Sequence, residues 1–127
     1  MKIIIDTGYG FFNPSHKAVM LYADGIGMTL YSNKDKITGE QSYYKVPMKV
    51  LKTMAPEDTI GIEFHSYSIK RDDPILVKIV EALGYEANGP MSHLEVVDIP
   101  DDVDWEITED ENGIERVEEV HRVWYGA

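Results

Sequence analysis

Two adjacent cations, Lys70 and Arg71, come just before a segment whose pattern predicts a helix. The free N–H groups and the dipole at the start of a helix favour negative charge, so cations placed there can complete a site for a phosphate or a carboxylate. Arg122, much later in the chain, is a third candidate for contacting phosphate. These residues predict that the protein binds an anion, and they name no reaction.

An aromatic loop is the second place where chemistry is expected. Residues 6–13, Asp-Thr-Gly-Tyr-Gly-Phe-Phe-Asn, lie between a β-branched run and a helix start. The loop lacks the third glycine of the dinucleotide-binding fingerprint and the Gly-Lys-Ser/Thr of a phosphate loop. Its rings can instead stack on a nucleobase, and its glycines permit positive φ and close approach to a ligand. In the alternative interpretation, Phe11 and Phe12 belong to the core and Tyr9 lies at its rim.

Aromatic and imidazole side chains elsewhere in the chain extend this candidate site. On a strand predicted over residues 59–69, His65 and Tyr67 share one face close to the two cations. His16 lies in the first turn of a predicted helix. The full set of residues predicted to contact a ligand is Tyr9, Phe11, His16, Tyr43, Tyr44, His65, Tyr67, Lys70, Arg71 and Arg122.

The sequence contains few of the usual signatures of catalysis or of metal binding. The chain has no cysteine, which excludes thiolate zinc sites and thiol nucleophiles, and its four histidines are too far apart in sequence for a local metal motif. There is no Gly-x-Ser-x-Gly elbow. We therefore expect no metal and no cofactor, and the sequence favours a binding protein over an enzyme. The open enzymatic alternative is a phosphodiesterase or nucleotide hydrolase that uses His16, His65 and the aspartates.

Charge is unevenly distributed along the chain. The 127 residues have a net charge of −11; residues 91–127 carry 12 acidic and 2 basic side chains, whereas residues 1–90 carry 11 and 10. Sequence-independent binding to DNA or RNA needs a continuous basic face, so a nucleic-acid polymer is not expected as a partner. The sequence has neither a run of 18 apolar residues nor the pattern of a secretory signal, so we expect a cytoplasmic protein that does not contact a membrane.

The order of elements predicts one α+β domain over residues 1–127, with a mainly antiparallel or mixed sheet and two or three helices. The clearest helix is capped by Asp72 or Asp73, has Pro74 at its first position and stops at Gly84. A second helix is expected from Asn13-Pro14 to Gly25. Strands are predicted at Lys2–Asp6, Met28–Tyr31, Ser42–Val46, Thr59–Ile69, Leu94–Ile99 and Val103–Thr108. Residues 32–42 are expected to form an exposed loop, and residues 114–124, after the Asn112-Gly113 turn, fit a helix or a strand.

Several runs, taken together, resemble a family of small uncharacterised proteins that phages and prophages encode. The runs are Thr7-Gly8-Tyr9-Gly10-Phe11, Ser15-His16-Lys17-Ala18-Val19, Arg71-Asp72-Asp73-Pro74-Ile75-Leu76, Glu95–Val103, Trp105-Glu106-Ile107 and His121-Arg122-Val123-Trp124. The resemblance covers most of the chain and implies a viral setting without implying a mechanism. By analogy of size and setting, it suggests a sponge that sequesters the cyclic-nucleotide or ADP-ribose signals of bacterial immune systems such as Thoeris and CBASS.

Three hypotheses follow, in order of preference. The first is a non-enzymatic phage protein that binds a small nucleotide-derived immune signal and so counteracts anti-phage defence, as a homo-oligomer with its ligand near the subunit boundaries. The second is an inhibitor whose acidic C-terminal surface docks on a host protein, as a nucleic-acid mimic does. The third is the phosphodiesterase or nucleotide hydrolase.

Overall fold

The computed structural model describes residues 1–9 and 11–120. Within those residues, three α-helices and seven β-strands form an α+β fold in which every strand pair is antiparallel, so the predicted fold class is confirmed. The helices are α1 (His16–Gly25), α2 (Met48–Leu51) and α3 (Pro74–Leu83). The strands are β1 (Lys2–Asp6), β2 (Tyr31–Lys34), β3 (Gln41–Tyr44), β4 (Glu63–Phe64), β5 (Leu94–Asp98), β6 (Trp105–Glu109) and β7 (Glu115–Glu119).

The first sheet pairs β1 with β5 and packs against α1 and α3. Ile3, Ile4 and Ile5 of β1 are all buried, and Ile4 lies opposite Val96 in β5. Burying one such aliphatic side chain contributes about 1.5–3 kcal/mol, so these three residues contribute strongly to stability. The buried members of its core are Ile4, Phe12, Ala18, Tyr22, Ile69, Leu76, Val77, Val80, Ala87 and Leu94.

α3 begins and ends where its sequence predicts. Asp73 is the N-cap, and its Oδ1 accepts hydrogen bonds from the backbone N–H groups of Ile75 at 2.9 Å and Leu76 at 3.3 Å. Gly84 ends the helix with a φ of 57°. Tyr22 of α1 donates its hydroxyl proton to the other oxygen of Asp73, Oδ2, at 2.9 Å, so the cap also joins the two helices. Burial and this bond to the Asp73 carboxylate raise the pKa of Tyr22 to about 12.

The second sheet, in the order β2–β3–β4, packs on a neighbouring face of α1. Tyr43 of β3 lies opposite Phe64 of β4. Phe64 also packs against both clusters of buried residues and so links the two sheets. The cluster that joins α1 to the second sheet consists of Val19, Ala23, Leu30 and Tyr43.

The predicted boundaries are wrong around β2. This strand lies at residues 31–34 and forms a hairpin with β3 inside the segment expected to be a loop. Asp35 turns the hairpin, because its Oδ1 accepts from the backbone N–H groups of Ile37 at 2.8 Å and Thr38 at 2.9 Å, while Gly39 takes a φ of 76°. The bonds from Thr38 and Ile37 also lower the pKa of the Asp35 carboxyl. All four residues of β2 are exposed, so no apolar alternation marks the strand in the sequence.

The strand predicted over Thr59–Ile69 is also wrong for most of its length. Only Glu63 and Phe64 pair, as β4, while residues 56–59 and 66–68 form 3₁₀ helices. Gly61 has a φ of 85°, which interrupts any extended path. The alternation of polar and apolar residues in this segment therefore does not come from an extended chain.

β6 and β7 form a separate two-stranded hairpin, with Ile107 opposite Val117. Its turn contains Gly113 at a φ of 80°, and Asp110 Oδ1 accepts from the backbone N–H of Asn112 at 2.8 Å, as the Asn-Gly pattern predicts. For residues 115–119 the choice between helix and strand is resolved in favour of a strand. Residues 121–124 lie outside the described residues.

Candidate functional site

Five of the residues proposed as ligand contacts, Phe11, His16, Tyr43, His65 and Tyr67, line one cleft of about 730 Å³, which we call the aromatic cleft. Its walls come from the aromatic loop, the start of α1, the β2–β3 hairpin and the 3₁₀ helix at residues 66–68. These segments are distant in sequence, so only the tertiary fold brings the five side chains together.

His65 and Tyr67 form one wall of the aromatic cleft. Their rings stack, with centroids 4.9 Å apart and 15° between the planes. His65 comes directly before the 3₁₀ helix that contains Tyr67, and Ser68 holds this turn by donating its hydroxyl to the carbonyl oxygen of His65 at 2.6 Å. His65 and Tyr67 were expected to share a face of a strand, but they lie side by side because the chain turns here. Tyr67 is 67% exposed, so its ring is open to solvent and to a ligand.

Phe11 and Phe12 have opposite environments although they are adjacent. Phe12 is 6% exposed, and the guanidinium carbon of Arg71 lies 3.8 Å from the centroid of its ring. Phe11 is 94% exposed at the aromatic cleft. The interpretation that both rings belong to the core is therefore correct for Phe12 and wrong for Phe11.

His16 and Tyr43 form a hydrogen-bonded pair in the cleft. The Tyr43 hydroxyl oxygen Oη is 2.9 Å from His16 Nδ1, and the two rings are nearly parallel, with 13° between planes and 5.7 Å between centroids. Tyr43 is buried, and burial raises the pKa of its phenol to about 12. The phenol therefore keeps its proton at neutral pH.

Charged side chains at the cleft are few and of both signs. Among the described residues that line it, Lys34 is the only lysine or arginine, and Glu40 and Glu63 are the carboxylates. Sequence reasoning missed these three residues, since the hairpin that brings Lys34 and Glu40 to the cleft was expected to be a loop. The available signal was Asp35 with Thr38-Gly39 three residues later, a combination that is typical of a turn.

Arg71 is engaged in an ion pair within the chain. Its Nη1 and Nη2 donate to Oε1 and Oε2 of Glu115 at 2.6 and 2.9 Å, and Nη1 also donates to the carbonyl oxygen of Ile4 at 3.2 Å. Glu115 is 7% exposed, and its Oε1 accepts from the backbone N–H of Asp6 at 2.7 Å. The Arg71 guanidinium, which was expected to bind a phosphate, thus pairs with a carboxylate of its own chain. Lys70 is exposed and does not line the aromatic cleft.

The remaining proposed contacts do not line the aromatic cleft. Tyr44 follows Tyr43 on β3, and successive strand residues point to opposite faces of a sheet. Tyr9 is 68% exposed outside the lining of the cleft. Arg122 lies beyond the described residues.

Gly8 has a packing role in the aromatic loop. A Cβ at this position would lie 2.4 Å from the carbonyl oxygen of Met91, and Gly8 does not have a positive φ. Buried Asp6 holds the loop against residues 92 and 93. Its Oδ1 accepts hydrogen bonds from the N–H groups of Gly8 at 2.9 Å and His93 at 3.0 Å, and its Oδ2 accepts one from the Ser92 hydroxyl at 2.8 Å. Gly8 therefore allows the loop to approach the backbone of its own chain, and Gly10 lies outside the described residues.

No protein-family model, no curated protein and no solved structure matches the chain. Within residues 1–9 and 11–120, no group of three or more His, Asp or Glu side chains could hold a metal ion. In the same part of the chain, none of the helices combines the length and the apolar character needed to cross a bilayer. A function must therefore be inferred from the geometry of the aromatic cleft itself.

Proposed function

We propose that this protein binds a small nucleotide-like ligand in the aromatic cleft and holds it without converting it. The observation that carries the proposal is the convergence of solvent-exposed rings from two distant segments, Phe11 and the His65–Tyr67 stack, on one cleft. Apolar rings beside a cavity remain hydrated at a cost in free energy until something covers them. A nucleobase covers them well, since base–aromatic stacking contributes about 1–3 kcal/mol per base.

The size of the aromatic cleft supports a small ligand. Its volume of about 730 Å³ falls within the range of roughly 300–1,000 Å³ that is typical of small-molecule sites. The net charge of −11 opposes binding to a DNA or RNA polymer, whose phosphates would be repelled along their whole length. A single small nucleotide avoids most of that repulsion.

The charges at the cleft narrow the class of ligand. A ligand with several phosphates would find only Lys34 as an ammonium partner and would face the carboxylates of Glu40 and Glu63. The same carboxylates can accept hydrogen bonds from ribose hydroxyls or from the amino groups of a base. The cleft therefore suits a ligand with few phosphates that is recognised mainly through its base and its sugar.

In the viral setting that the sequence resemblance implies, tight binding would remove such a ligand from solution. On that basis we propose a sponge for a nucleotide-derived bacterial immune signal, either a cyclic nucleotide or an ADP-ribose derivative. The expected homo-oligomer stays a prediction, and sedimentation of the protein with and without ligand measures it.

One observation favours hydrolysis as a second candidate function, namely that His16 and His65 line the same cleft. Hydrolysis of a phosphodiester can use one imidazole to take a proton from the attacking water and another to give a proton to the leaving oxygen. Of the aspartates expected to assist, Asp6, Asp72 and Asp73, two are engaged elsewhere: Asp6 is buried in hydrogen bonds to the chain, and Asp73 caps α3. Asp72 is exposed and does not line the cleft. Binding without conversion is therefore the first candidate.

Ligand recovery tests the two candidates together. The protein is incubated with a panel of cyclic dinucleotides, cyclic ADP-ribose isomers and nucleoside monophosphates, separated from free ligand by gel filtration, and heated to release what it holds. Release of an intact ligand supports the sponge, whereas release of a cleaved ligand supports the hydrolase. Retention of no ligand overturns both, and a host protein recovered stoichiometrically and lost at high salt would then point to docking through the acidic residues of the β6–β7 hairpin.

A further inference from the structure

The hydrogen bond between His16 and Tyr43 determines which nitrogen of the imidazole can contact a ligand. Tyr43 is 7% exposed, whereas His16 is exposed, and Tyr43 Oη lies 2.9 Å from His16 Nδ1. A neutral imidazole carries a single N–H, so the group bonded to one ring nitrogen decides whether the other nitrogen donates or accepts.

The surroundings of Tyr43 favour its hydroxyl as the donor in this hydrogen bond. Burial raises the pKa of the phenol to about 12, so the hydroxyl is protonated at neutral pH. Among residues 1–9 and 11–120, Oη of Tyr43 has no hydrogen-bond partner other than the His16 ring. If Nδ1 were the donor, the phenol proton would have no acceptor among the described residues and would depend on solvent or ligand in the cleft, whereas donation to Nδ1 satisfies it within the chain.

With Oη donating to Nδ1, neutral His16 carries its hydrogen on Nε2. No side chain or backbone group in the described part of the chain bonds that nitrogen, and His16 lines the aromatic cleft. We infer that His16 is a specificity-determining residue that donates a hydrogen bond from Nε2 to an acceptor oxygen of the bound ligand, and that Tyr43 is the positioning residue that sets the tautomer. This inference rests on the proposed function, because it requires a ligand in the cleft.

Two parts of an adenine nucleotide can supply the acceptor oxygen, namely the phosphate and the ribose. Adenosine 5′-monophosphate and adenosine differ only in the phosphate, so the pair of probes distinguishes these sources. Calorimetry with both probes is carried out on the wild-type protein and on His16→Asn and His16→Gln. The amide N–H₂ of glutamine reaches the position of Nε2, whereas that of asparagine lies nearer to Nδ1, and thermal melting checks that both variants fold.

We expect His16→Asn to weaken binding of adenosine 5′-monophosphate about 10-fold, through loss of one hydrogen bond, and His16→Gln to keep most of the affinity. A loss confined to the monophosphate assigns the acceptor to the phosphate, and an equal loss for adenosine assigns it to the nucleoside. If His16→Asn leaves binding of the monophosphate unchanged, the inference is overturned and the proposed function stays intact.

The tautomer itself is read by ¹⁵N NMR of the imidazole in the free protein. In the wild type, Nδ1 should have the chemical shift of an unprotonated nitrogen and Nε2 that of a protonated one. Tyr43→Phe should move both signals towards a mixture of tautomers, whereas Tyr44→Phe, the neighbouring substitution on the other face of β3, should leave them in place. A hydrogen on Nδ1 in the wild type overturns the inference even if ligands bind. If neither the panel nor the two probes bind, the proposed function fails and this inference fails with it.

Discussion

Arg71 and Tyr67 lie four residues apart and are both attractive ligand contacts in the sequence, yet the fold gives them opposite environments. The Arg71 side chain is 19% exposed and donates two hydrogen bonds to Glu115, while Tyr67 is 67% exposed and lines the aromatic cleft. Residue type alone therefore does not separate a structural contact from a binding contact. A side chain whose donors are satisfied within the chain is structural, whereas an exposed ring beside a cavity has capacity left for a ligand.

The largest effect is expected from breaking the Arg71–Glu115 pair. Arg71→Ala leaves the Glu115 carboxylate buried without a cation, and removing one partner of a buried ion pair costs about 3–5 kcal/mol in the free energy of unfolding. Urea denaturation measures this loss as a lower transition midpoint. The double variant Arg71→Met/Glu115→Gln should recover most of it, because no unpaired charge remains and the new amide oxygen still accepts from the Asp6 N–H.

Lys70→Ala is the matched control for this substitution, since Lys70 is the exposed neighbouring cation. Its free energy of unfolding should stay within about 0.5 kcal/mol of the wild-type value. If Arg71→Ala were as stable as Lys70→Ala and instead lost affinity for a retained nucleotide, Arg71 would be a ligand contact and the comparison with Tyr67 would be reversed.

A smaller effect, on binding rather than on stability, is expected at the cleft. Tyr67→Ala and Phe11→Ala should each weaken binding of the nucleotide recovered from the panel by about 1–3 kcal/mol, through loss of one stacking surface. Their melting temperatures should stay close to that of the wild type, because both rings are largely exposed. Isothermal titration calorimetry and thermal melting of the same samples measure the two quantities.

Two other aromatic residues provide controls for these substitutions, Tyr85 for loss of an exposed ring and Phe12 for loss of a buried ring. Tyr85 is 85% exposed and does not line the cleft, so Tyr85→Ala should change neither affinity nor stability. Phe12→Ala removes a buried ring and should cost about 3–5 kcal/mol of stability. Full affinity in both Tyr67→Ala and Phe11→Ala would show that the exposed rings are not the binding surface.

The last effect is absent at neutral pH and is expected only in alkaline solution. Tyr43 in the cleft and Tyr22 beneath the α3 cap both have their pKa raised from 10.0 to about 12, by burial and, for Tyr22, also by the Asp73 carboxylate. Because the folded protein holds these protons more tightly than the unfolded chain does, their contribution to stability is fully present below pH 10 and is lost as the pH rises towards 12. Phenolate absorbance and circular dichroism, followed together, measure ionisation and unfolding.

Substitution assigns the late-ionising groups. Tyr22→Phe and Tyr43→Phe should each remove one phenol from the late step of the absorbance titration. Ionisation of both residues in the range of free tyrosine, with no loss of structure, would contradict the raised pKa values.

The parts of the fold that the sequence predicts well are those specified by neighbouring residues. Asp73, Pro74 and Gly84 define α3 within a dozen positions, and the three isoleucines of β1 make a buried strand the simplest interpretation. The Asn112-Gly113 pair likewise predicts its turn, although the sequence left the residues that follow open between a helix and a strand. In each case the signal and the structure lie in the same short segment.

The parts that the sequence does not predict depend on distant residues. The partner of Arg71 is Glu115, 44 positions later, and the residues next to either one in sequence do not indicate the pair. Likewise, β2 is exposed along its whole length and is a strand only because β3 pairs with it. The aromatic cleft combines both difficulties, since its rings come from separate segments and one wall belongs to the unexpected hairpin.

The bond from the Asp6 N–H to Glu115 also has a consequence for how the chain folds. It spans 109 positions, and the other partners of β1, namely Arg71 and β5, are also far along the sequence. Contacts at such separation form slowly, because a long loop must close before they stabilise anything. At about 5–20 residues per second, ribosomal synthesis puts roughly 5–18 s between β1 and its sheet partner β5, and Glu115 follows later still. During that interval the isoleucines of β1 have no sheet to join, so we expect the yield of folded protein to depend on what shields them as the chain is made.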